Sequence, residues 1–398
     1  MSDIKYIAPC PDQIVEPKMH ILIICRWPVG GIRTFLKYVY GAFPRAKYRL
    51  TIVLPETSEF KAVQGNLEHL DVVYEALQGD PNALDFIRRL FKVFRNNHID
   101  VVHSQGFTAG AYVCLLAKLF CVPHLLTLHE SFTDQQFKGS RILLRHVAIP
   151  FVLRITDKIH TVSEDARNNL LDFFPGLKEK LTKVIAIPNG VQSKKFLIEE
   201  KIDWLKKLQL VDNTFIVGYF GRFMPAKGFS FLVGAIEILS RQKLSRNIVV
   251  LAFGWGGFIR EEQAEIERQG LTPYFRFLPY QENIAKALKG VNVVAMPSQW
   301  EAFGLLAAEA LVAGIPIIGT DCVGLREVLR NTPATMIPTG DRKALAKAII
   351  NEMECSSLKK MRLFQREAAE RYDVSNQVGQ LQNLICGLIG SNEATVNK

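Results

Sequence analysis

The chain has 398 residues, of which 48% are hydrophobic and 22% are charged. This composition excludes a disordered or fibrous protein, and the length is sufficient for two domains. The formal net charge is +10, which favours anionic small molecules or an anionic membrane surface over nucleic acid, for which no recognition motif is present.

The N-terminal sequence and the cysteines are informative about the cellular compartment of the protein. The first residues, "MSDIKYIAPCPDQ", lack the pattern of a signal peptide, and no apolar run reaches the roughly 18 residues of a membrane span. The seven cysteines form no C-x-x-C pair, and most lie within apolar runs. We therefore expect reduced cysteines in a cytoplasmic protein.

Strands and helices alternate through the first half of the chain. The apolar run "MHILIICRW" predicts a buried strand, which a glycine turn at Gly30 and Gly31 connects to a helix. Further strands are predicted at "YRLTIVLP", "IDVVHSQG", "PHLLTLHE", "DKIHTVSE" and "KVIAIPNGV". The segment "NALDFIRRLFKVFRNNH" predicts an amphipathic helix, with an apolar face formed by Ile87, Leu90, Phe91 and Phe94. Apolar strands that alternate with helices are typical of a parallel, doubly wound sheet.

The same alternation restarts at "FIVGYFGRF" and runs to "ATMIP", which predicts a second α/β sheet of similar size. We place the boundary in the polar stretch 192–207 and assign a first domain to residues 1–195 and a second to residues 196–370. Residues 371–398 are predicted to form helices that pack back toward the first domain. Ligands of such sheets bind outside the carboxyl ends of the strands, so the turns after strands are where functional residues are expected.

Two of these turns have features of a phosphate site. Gly30 and Gly31 lie between a strand and a helix, where backbone N–H groups can approach a phosphate and the helix N-terminus favours negative charge. In "GYFGRFMPAKGF", Arg222 and Lys227 follow a strand at a spacing that lets both converge on one diphosphate. The structural alternatives are a plain strand-to-helix turn and two solvated surface charges.

Two glutamates, Glu301 and Glu309, bracket the apolar stretch between them in "EAFGLLAAE". A helix is expected to begin near Gly304, and its free N–H groups would form an anion pocket. Carboxylates on either side of that pocket can accept hydrogen bonds from hydroxyl groups, so the arrangement fits a nucleotide sugar, with its diphosphate between two sugar rings. The alternative is a solvated Glu301 and a locally paired Glu309.

With these residues the sequence resembles the retaining GT-B glycosyltransferases of the group 1, family 4-like type. The stretch "EAFGLLAAE" is similar to the E-x7-E motif of that family, and "GRFMPAKG", "IPNGV", "HTVSE" and "GTDCVGLREVL" are further matches in the expected order. The resemblance implies two facing Rossmann-like, doubly wound domains with a C-terminal helix that crosses back to the first. The sequence departs from the family pattern at Trp255, Pro279 and Val323, which leaves the nucleotide base and the donor sugar unassigned.

The resemblance also implies how the second domain binds the donor. Glu301 would hold hydroxyl groups of the transferred sugar, and Glu309 would hold the ribose. The backbone N–H groups of Phe303, Gly304 and Leu305 would line the sugar and the diphosphate.

Further roles follow from the same resemblance. Arg222 and Lys227 would neutralise the leaving diphosphate, while Gly30 and Gly31 would contact phosphate from the facing domain. His129 matches the histidine that such enzymes direct at the reacting sugar, and its alternative role is a hydrogen-bonded histidine at a strand end. The nucleotide base would lie beside two residues of a later strand, Phe277 and Leu278.

The sequence contains no D-x-D motif and no His/Cys cluster with metal-ligand spacing, so we expect no metal and no cofactor apart from a UDP- or GDP-sugar substrate. Cations and a helix N-terminus would then stabilise the departing diphosphate. We predict retaining transfer, in which the acceptor hydroxyl attacks from the side on which the diphosphate leaves. A double displacement would need a carboxylate nucleophile on the opposite face.

The predicted acceptor is a glycan or a lipid-linked precursor in cell-surface polysaccharide biosynthesis, such as lipopolysaccharide. Lys138, Arg141 and Arg145 fall on one helical face beside Ile142 and Leu143. Together with the helix at 86–95 they form a candidate docking surface for an anionic membrane, and the alternative is a simply solvated face. We therefore predict a cytoplasmic protein, free or peripheral on the inner face of the plasma membrane.

Three other functions fit the same sequence. The enzyme could glycosylate a small soluble acceptor. A sugar-nucleotide epimerase or hydrolase of the same two-domain plan would act without an acceptor. A non-catalytic nucleotide-sugar-binding subunit would bind the donor and release no nucleotide.

Overall fold

The structure is a computed structural model that describes residues 18–396 except 80, 138–142 and 282. The first sheet has seven parallel strands in the order β3-β2-β1-β4-β5-β6-β7. These strands are β1 Met19–Cys25, β2 Tyr48–Pro55, β3 Val72–Leu77, β4 Val101–Gln105, β5 His124–Leu128, β6 Lys158–Thr161 and β7 Val184–Ala186.

Helices cover both faces of this sheet. They are α1 Gly31–Val39, α2 Phe60–Leu67, α3 Ala83–Asn96, α4 Phe107–Leu119, α5 Ile149–Ile155 and α6 Glu164–Phe173. A π-helix precedes α5, and short 3-10 helices complete the domain: Leu144–Ala148 is the π-helix, and Tyr40–Ala42, Asp134–Phe137 and Pro175–Lys183 are the 3-10 segments. Strands β1, β4 and β5 are almost fully buried, as their unbroken apolar runs predict.

The buried face of α3 differs from the predicted one. Leu90 and Phe94 are buried as expected, but Ile87 and Phe91 are 36% and 44% exposed. Their places in the core are taken by two other apolar residues of the helix, Phe86 and Val93. The helix carries apolar residues on more than one arc, so periodicity alone does not decide which arc packs on the sheet.

The predicted basic face near residue 140 is only partly described. Lys138, Arg141 and Ile142 lie outside the described residues. Arg145 donates to Asp134 Oδ1 at 2.9 Å, and its guanidinium lies over the rings of Phe137 and Phe173. Leu143 is exposed, as the prediction requires.

The second sheet has six parallel strands in the order β10-β9-β8-β11-β12-β13. Its strands are β8 Phe215–Phe220, β9 Ile248–Phe253, β10 Phe275–Leu278, β11 Val293–Met296, β12 Ile317–Thr320 and β13 Thr335–Ile337. Its helices are α7 Ser193–Ile198, α8 Trp204–Lys207, α9 Phe229–Ser240, α10 Ile259–Arg268, α11 Ile284–Lys289, α12 Leu305–Ala313, α13 Leu325–Leu329 and α14 Arg342–Glu354. Two 3-10 turns, Pro225–Lys227 and Thr272–Tyr274, lie in its loops.

In both sheets the strand order reverses at the same relative place, between β1 and β4 in the first and between β8 and β11 in the second. Such switch points open a crevice outside the carboxyl ends of the strands. The turns after β1, β4, β8 and β11 are those that carry the predicted site residues or lie beside them. The predicted fold class, two doubly wound α/β domains, is confirmed.

The last two helices, α15 Leu358–Arg371 and α16 Val374–Val396, pack on different domains. Helix α15 contributes to the core of the second domain, whereas α16 packs in the core of the first with Val378, Leu381, Ile385 and Leu388. Gly190 lies where α16 begins: a Cβ on it would lie 2.4 Å from the Cα of Val374, so no side chain fits there. No helix in the described part of the chain is both long and apolar enough to span a membrane.

Candidate active site

A cavity of about 630 Å³ lies between the two domains, and both contribute to its wall. Most of the predicted site residues meet there. They are Gly30, Gly31 and His129 from the first domain, and Arg222, Lys227, Glu301, Phe303, Gly304, Leu305 and Glu309 from the second. These residues are up to 279 positions apart in the sequence (Gly30 to Glu309), and they meet because each follows the carboxyl end of a strand or lies in the first two turns of the next helix.

The turn after β1 closes against the second domain. Gly30 has φ 57° and ψ −128°, a conformation that L side chains rarely adopt. A Cβ on Gly30 would lie 3.7 Å from Nε of Arg222, so an added methyl group would be in van der Waals contact with the guanidinium. Helix α1 begins at the next residue, Gly31, and its free N–H groups add positive potential beside Arg222.

Lys227 and Glu301 form an ion pair on the second-domain wall. The ammonium donates to both carboxylate oxygens, at 2.6 and 2.7 Å, and Ser298 Oγ donates to one of them at 2.8 Å. The side chain of Glu301 is only 10% exposed, so these contacts hold it in one orientation. The sequence predicted that Lys227 binds diphosphate and Glu301 binds sugar, and the structure adds that the two groups touch each other.

Helix α12 begins directly beyond Glu301, after Gly304. The N–H groups of Ala307 and Ala308 donate to the carbonyl of Gly304, whereas those of the residues before them have no acceptor within the helix, and the helix N-terminus carries a partial positive charge. Phe303 is buried, and its side chain belongs to the core of the second domain, so only its backbone is available to a ligand. Arg222, Lys227 and this helix end all border the cavity, so positive charge lines the place where an anion would bind.

Glu309 lies in the second turn of α12 and is buried. The hydroxyl of Tyr38, on α1 of the first domain, donates to Glu309 Oε1 at 3.2 Å. Burial raises the pKa of Glu309 to about 7, and the hydrogen bond from Tyr38 opposes part of this rise. Tyr38 was not predicted as a site residue because it lies on the apolar side of an amphipathic helix, where an aromatic residue gives no polar signal.

His129 follows β5 and lines the cavity. Its Nε2 is 2.8 Å from Oε1 of Gln105, the last residue of β4, and the ring of Phe35 packs edge-on at 5.0 Å. Burial lowers the pKa of His129 to about 3, so its imidazole is neutral at physiological pH.

Phe277 and Leu278 are not brought to the cavity. The ring of Phe277 packs against those of Phe223 and Phe229 at 5.5 and 5.9 Å, and Leu278 packs against the core of the second domain. Both residues lie on β10, whose side chains point into the layers on either face of the sheet. The wall at this end is formed by residues beyond strand ends, Trp255, Tyr280, Gln281 and Ile284.

Tyr280 also contacts the first domain. The guanidinium of Arg33, on α1, lies 4.9 Å from its ring centroid, and Arg33 is held by an ion pair with Glu59. Trp255 and Tyr280 are each about half exposed, so two aromatic rings border this end of the cavity. Sequence reasoning noted Trp255 only as a departure from the family pattern.

The domains also meet along α6 and α13. Asp165 accepts two hydrogen bonds from Arg326, at 2.6 and 2.9 Å, and a third from the backbone N–H of Gly324. In return, the carboxylate of Glu327 accepts from the backbone N–H groups of Glu164 and Asp165. Each domain therefore caps a helix N-terminus or loop of the other with a carboxylate.

Comparisons with known proteins follow the division into two domains. Residues 29–195 match the family model Glycosyltransferase Family 4, and residues 200–371 match the model Glycosyl transferases group 1. The crystal structure of Anabaena HepE in complex with UDP and glucose superposes with a TM-score of 0.79 at 20% identity. That alignment covers 93% of this chain and 100% of the other.

Curated relatives align over a shorter length. The D-inositol 3-phosphate glycosyltransferase of Stackebrandtia nassauensis is 26% identical over 248 residues, which is 57% of this chain and 54% of that protein. The UDP-Gal:alpha-D-GlcNAc-diphosphoundecaprenol alpha-1,3-galactosyltransferase of Escherichia coli is 24% identical over 252 residues, 61% of this chain and 63% of its own length. The matched region is therefore less than two thirds of either relative.

Proposed function

The chain belongs to the glycosyl transferases group 1 with a Glycosyltransferase Family 4 first domain, and we propose that it transfers a sugar from a nucleoside diphosphate sugar to a glycan or lipid-linked acceptor with retention of configuration. One observation carries the proposal: Arg222, Lys227 and the N-terminus of α12 line one interdomain cavity, with Glu301 and Glu309 along the same wall. A diphosphate between two sugar rings matches this order of charges.

The cations and the helix end supply the chemistry that breaking the donor bond requires. As the bond from the anomeric carbon to the diphosphate oxygen breaks, negative charge grows on the leaving group, and preorganised positive groups stabilise it. The acceptor oxygen bonds to the same face of the anomeric carbon, and its proton passes to the departing phosphate oxygen. We propose that this step proceeds without a metal ion and that Glu301 holds the sugar by accepting hydrogen bonds from its hydroxyls.

The donor is proposed to be a UDP- or GDP-sugar. The UDP and glucose bound to Anabaena HepE and the UDP-linked galactose named for the E. coli relative favour UDP. Glu309, beside Tyr38, would accept hydrogen bonds from the ribose hydroxyls. The base would stack near Trp255 or Tyr280, because aromatic faces bind bases of either kind.

A lipid-linked acceptor is supported by the outer surface of the first domain. Helices α3, α4 and α5 pack side by side on one face of the sheet. Their outward side chains include exposed apolar residues interspersed with exposed cations; the apolar ones are Leu84, Ile87, Phe91, Leu115, Leu119 and Phe151, and the cations include Arg88, Lys92, Arg95 and Arg154. We call these residues the α3–α5 surface. Apolar and basic side chains together fit an anionic membrane at which a diphosphoundecaprenol-type acceptor, as named for the E. coli relative, would be found.

The proposal is tested by following nucleotide release. Purified protein is incubated with UDP- and GDP-sugars, with and without a membrane extract that contains lipid-linked acceptors. A glycosyltransferase releases nucleoside diphosphate faster when acceptor is present, and the sugar appears on the lipid fraction. Release that is independent of acceptor would indicate a hydrolase or epimerase. Binding without release would indicate a non-catalytic subunit, and either result would overturn the proposal.

A further inference from the structure

The side chain of Gln105 is buried at the end of β4. One polar atom of its amide has a hydrogen-bond partner, and the other has none in the described part of the chain. Oε1 faces His129 Nε2 at 2.8 Å. Nε2 of Gln105 is buried without a hydrogen-bond partner in the described part of the chain. Gln105 is only 2% exposed, so neither atom has bulk water as an alternative partner.

An unsatisfied buried amide N–H group costs stability, typically about 1–3 kcal/mol. A methionine of nearly the same shape would fill this place without that penalty. Packing alone therefore does not account for the glutamine, and the hydrogen bond between its oxygen and His129 is the one that its side chain makes within the described part of the chain. A carbonyl oxygen can only accept, so Nε2 of His129 must carry the proton.

The other ring nitrogen of His129, Nδ1, is then an acceptor. No hydrogen bond to Nδ1 is found among the residues described, and it is not one of the buried unsatisfied atoms, so it is accessible from the cavity that the ring lines. Phe35 packs against the ring and restricts its rotation. A lone pair is thus directed into the site from the first domain.

The neighbouring histidines carry no charge that would disturb this arrangement. His160 Nε2 donates to the carbonyl of Ile187, so His160 Nδ1 accepts from Thr127. Thr127 in turn accepts from His103 Nε2, and the hydroxyl of Tyr40 donates to His103 Nδ1. Burial lowers the pKa of both histidines, to about 4 for His160. This chain of hydrogen bonds is satisfied with both rings neutral.

We propose that Gln105 is a positioning residue that holds His129 as the Nε2–H tautomer, so that Nδ1 accepts a hydrogen bond from a hydroxyl of the transferred sugar. The inference rests on the proposed function for the identity of that hydroxyl. Its first half, the fixed tautomer, is a property of the protein alone. A failure of the fixed tautomer can therefore be distinguished from a failure of the proposed function.

The tautomer is measured by long-range 1H–15N NMR on the imidazole rings, with His129→Ala used to assign the signals. In the wild-type protein Nε2 of His129 is expected to be protonated and Nδ1 to be bare from pH 6 to 8. In Gln105→Met both tautomers should appear. Gln365→Met, which removes a glutamine bonded to the carbonyl of Val312 outside the cavity, is the matched control and should leave His129 unchanged.

The sugar contact is measured by comparing the affinities for UDP-glucose and for UDP. Loss of one neutral hydrogen bond corresponds to a roughly three- to tenfold change in a binding constant. Gln105→Met should lower the affinity for UDP-glucose by that factor and leave the affinity for UDP unchanged. Gln365→Met should change neither affinity. In Gln105→Glu, the new carboxylate should protonate His129 at neutral pH, and the preference for UDP-glucose should return as pH rises. The titratable groups that act on the His129 ring are His103 and His160, and the charged groups that line the same cavity are Arg33, Lys37, Lys195, Arg222, Lys227, Glu301 and Glu309.

A single His129 tautomer in Gln105→Met, or an unchanged ratio of the two affinities in a variant that folds normally, overturns the inference. If the wild type binds neither UDP nor GDP, the proposed function fails, and the NMR result still decides whether Gln105 positions His129. A melting temperature of Gln105→Met at or above that of the wild type supports a functional role for the glutamine, and a strongly lowered one assigns it to structure instead.

Discussion

The hydroxyl of Tyr38 in the first domain donates a 3.2 Å hydrogen bond to the buried carboxylate of Glu309 in the second. This contact joins the two walls of the cavity at the place proposed for the ribose. A carboxylate has lone pairs for several donors, so Tyr38 and a ribose hydroxyl can bind Glu309 at the same time. The contact therefore couples the ionisation of Glu309 to the approach of the two domains.

Replacing Tyr38 with Phe should shift the pH dependence of donor binding. Glu309 accepts hydrogen bonds best when ionised, so wild-type affinity for UDP should rise as pH increases through about 7. Without the Tyr38 bond the carboxylate is less stabilised, and the midpoint should move up by about one pH unit, equivalent to about 1.4 kcal/mol. Isothermal titration calorimetry from pH 6 to 8.5 measures this midpoint. An identical midpoint in both proteins would show that Tyr38 does not act on Glu309.

The variant Glu309→Gln should be more stable than the wild type above pH 7. The folded-state pKa of Glu309, about 7, lies above its ordinary value of 4.5. The folded state therefore binds a proton that the unfolded state releases between these values, and wild-type stability falls as pH rises from 4.5 to 7. The loss contributed by this group is at most about 3 kcal/mol. Denaturant unfolding at pH 5 and pH 8 should give a difference between the two proteins that grows with pH, and a constant difference would contradict the argument.

Removing the guanidinium of Arg222 should slow nucleotide release more than it weakens binding of UDP. Loss of a preorganised charge that acts on the leaving group typically costs about 100-fold or more in rate. Arg222→Lys keeps the charge but not the two-pronged geometry, so its rate should fall between those of the wild type and Arg222→Ala. Arg366→Ala serves as a surface control, because Arg366 is almost fully exposed in a local pair with Glu370. Equal rates for all four proteins would remove Arg222 from the mechanism.

Adding a methyl group at Gly30 should be far more damaging than adding one at Gly31. Gly30→Ala would place a side chain at φ 57° and ψ −128°, at a cost of roughly 1–3 kcal/mol, beside Arg222. Gly31 begins α1, and a Cβ on it meets nothing within 4 Å. Thermal unfolding should therefore show a lower melting temperature for Gly30→Ala and no loss for Gly31→Ala. The reverse order would mean that the turn has another conformation.

The double variant Ile87→Glu/Phe91→Glu should release the protein from anionic vesicles. Both side chains are on the exposed side of α3 and neither belongs to the buried core cluster beneath it, and the substitutions place negative charge on the α3–α5 surface. Flotation with phosphatidylglycerol-containing liposomes should retain the wild type at low salt and lose it at high salt. Leu363→Glu, a change at a 77% exposed leucine of the second domain, is the control and should float like the wild type. A wild type that does not float would end the membrane hypothesis.

Much of the fold could be predicted because the strands that matter are buried on both sides. The run "MHILIIC" is short, continuously apolar and soon followed by a glycine turn, which is typical of a central strand. The order of the sheet then fixes the turns that follow such strands. Strand β3 was not identified, since it lies at the edge of the sheet with only Leu77 fully buried and therefore has no continuous apolar run. The predicted buried face of α3 was wrong for a related reason. Phe86 and Ile87 are both apolar, and only packing on the sheet decides which of them is buried.

The part of the site that could be predicted consists of residues whose type and position in a turn already indicate a chemical role. Cations, carboxylates and glycines in turns stand out in a sequence, and Arg222, Lys227, Glu301 and Glu309 do line one cavity. Contacts between residues are not visible in this way. The pairing of Lys227 with Glu301 depends on how two separate turns meet, and nothing in a sequence fixes that distance.

The chain passes between the domains twice, and the two passages lie side by side. Val191 and Asp373 form a parallel β-bridge, with hydrogen bonds of 2.7 Å from Val191 to Tyr372 and 2.9 Å from Val374 back to Val191. The second domain is thus inserted into the first, and the two chain segments that connect the domains lie next to each other. Exchanging the segment between these two points would therefore transfer the whole second domain from one relative to another. A single protease cut at either connection would leave the two domains joined through the other connection.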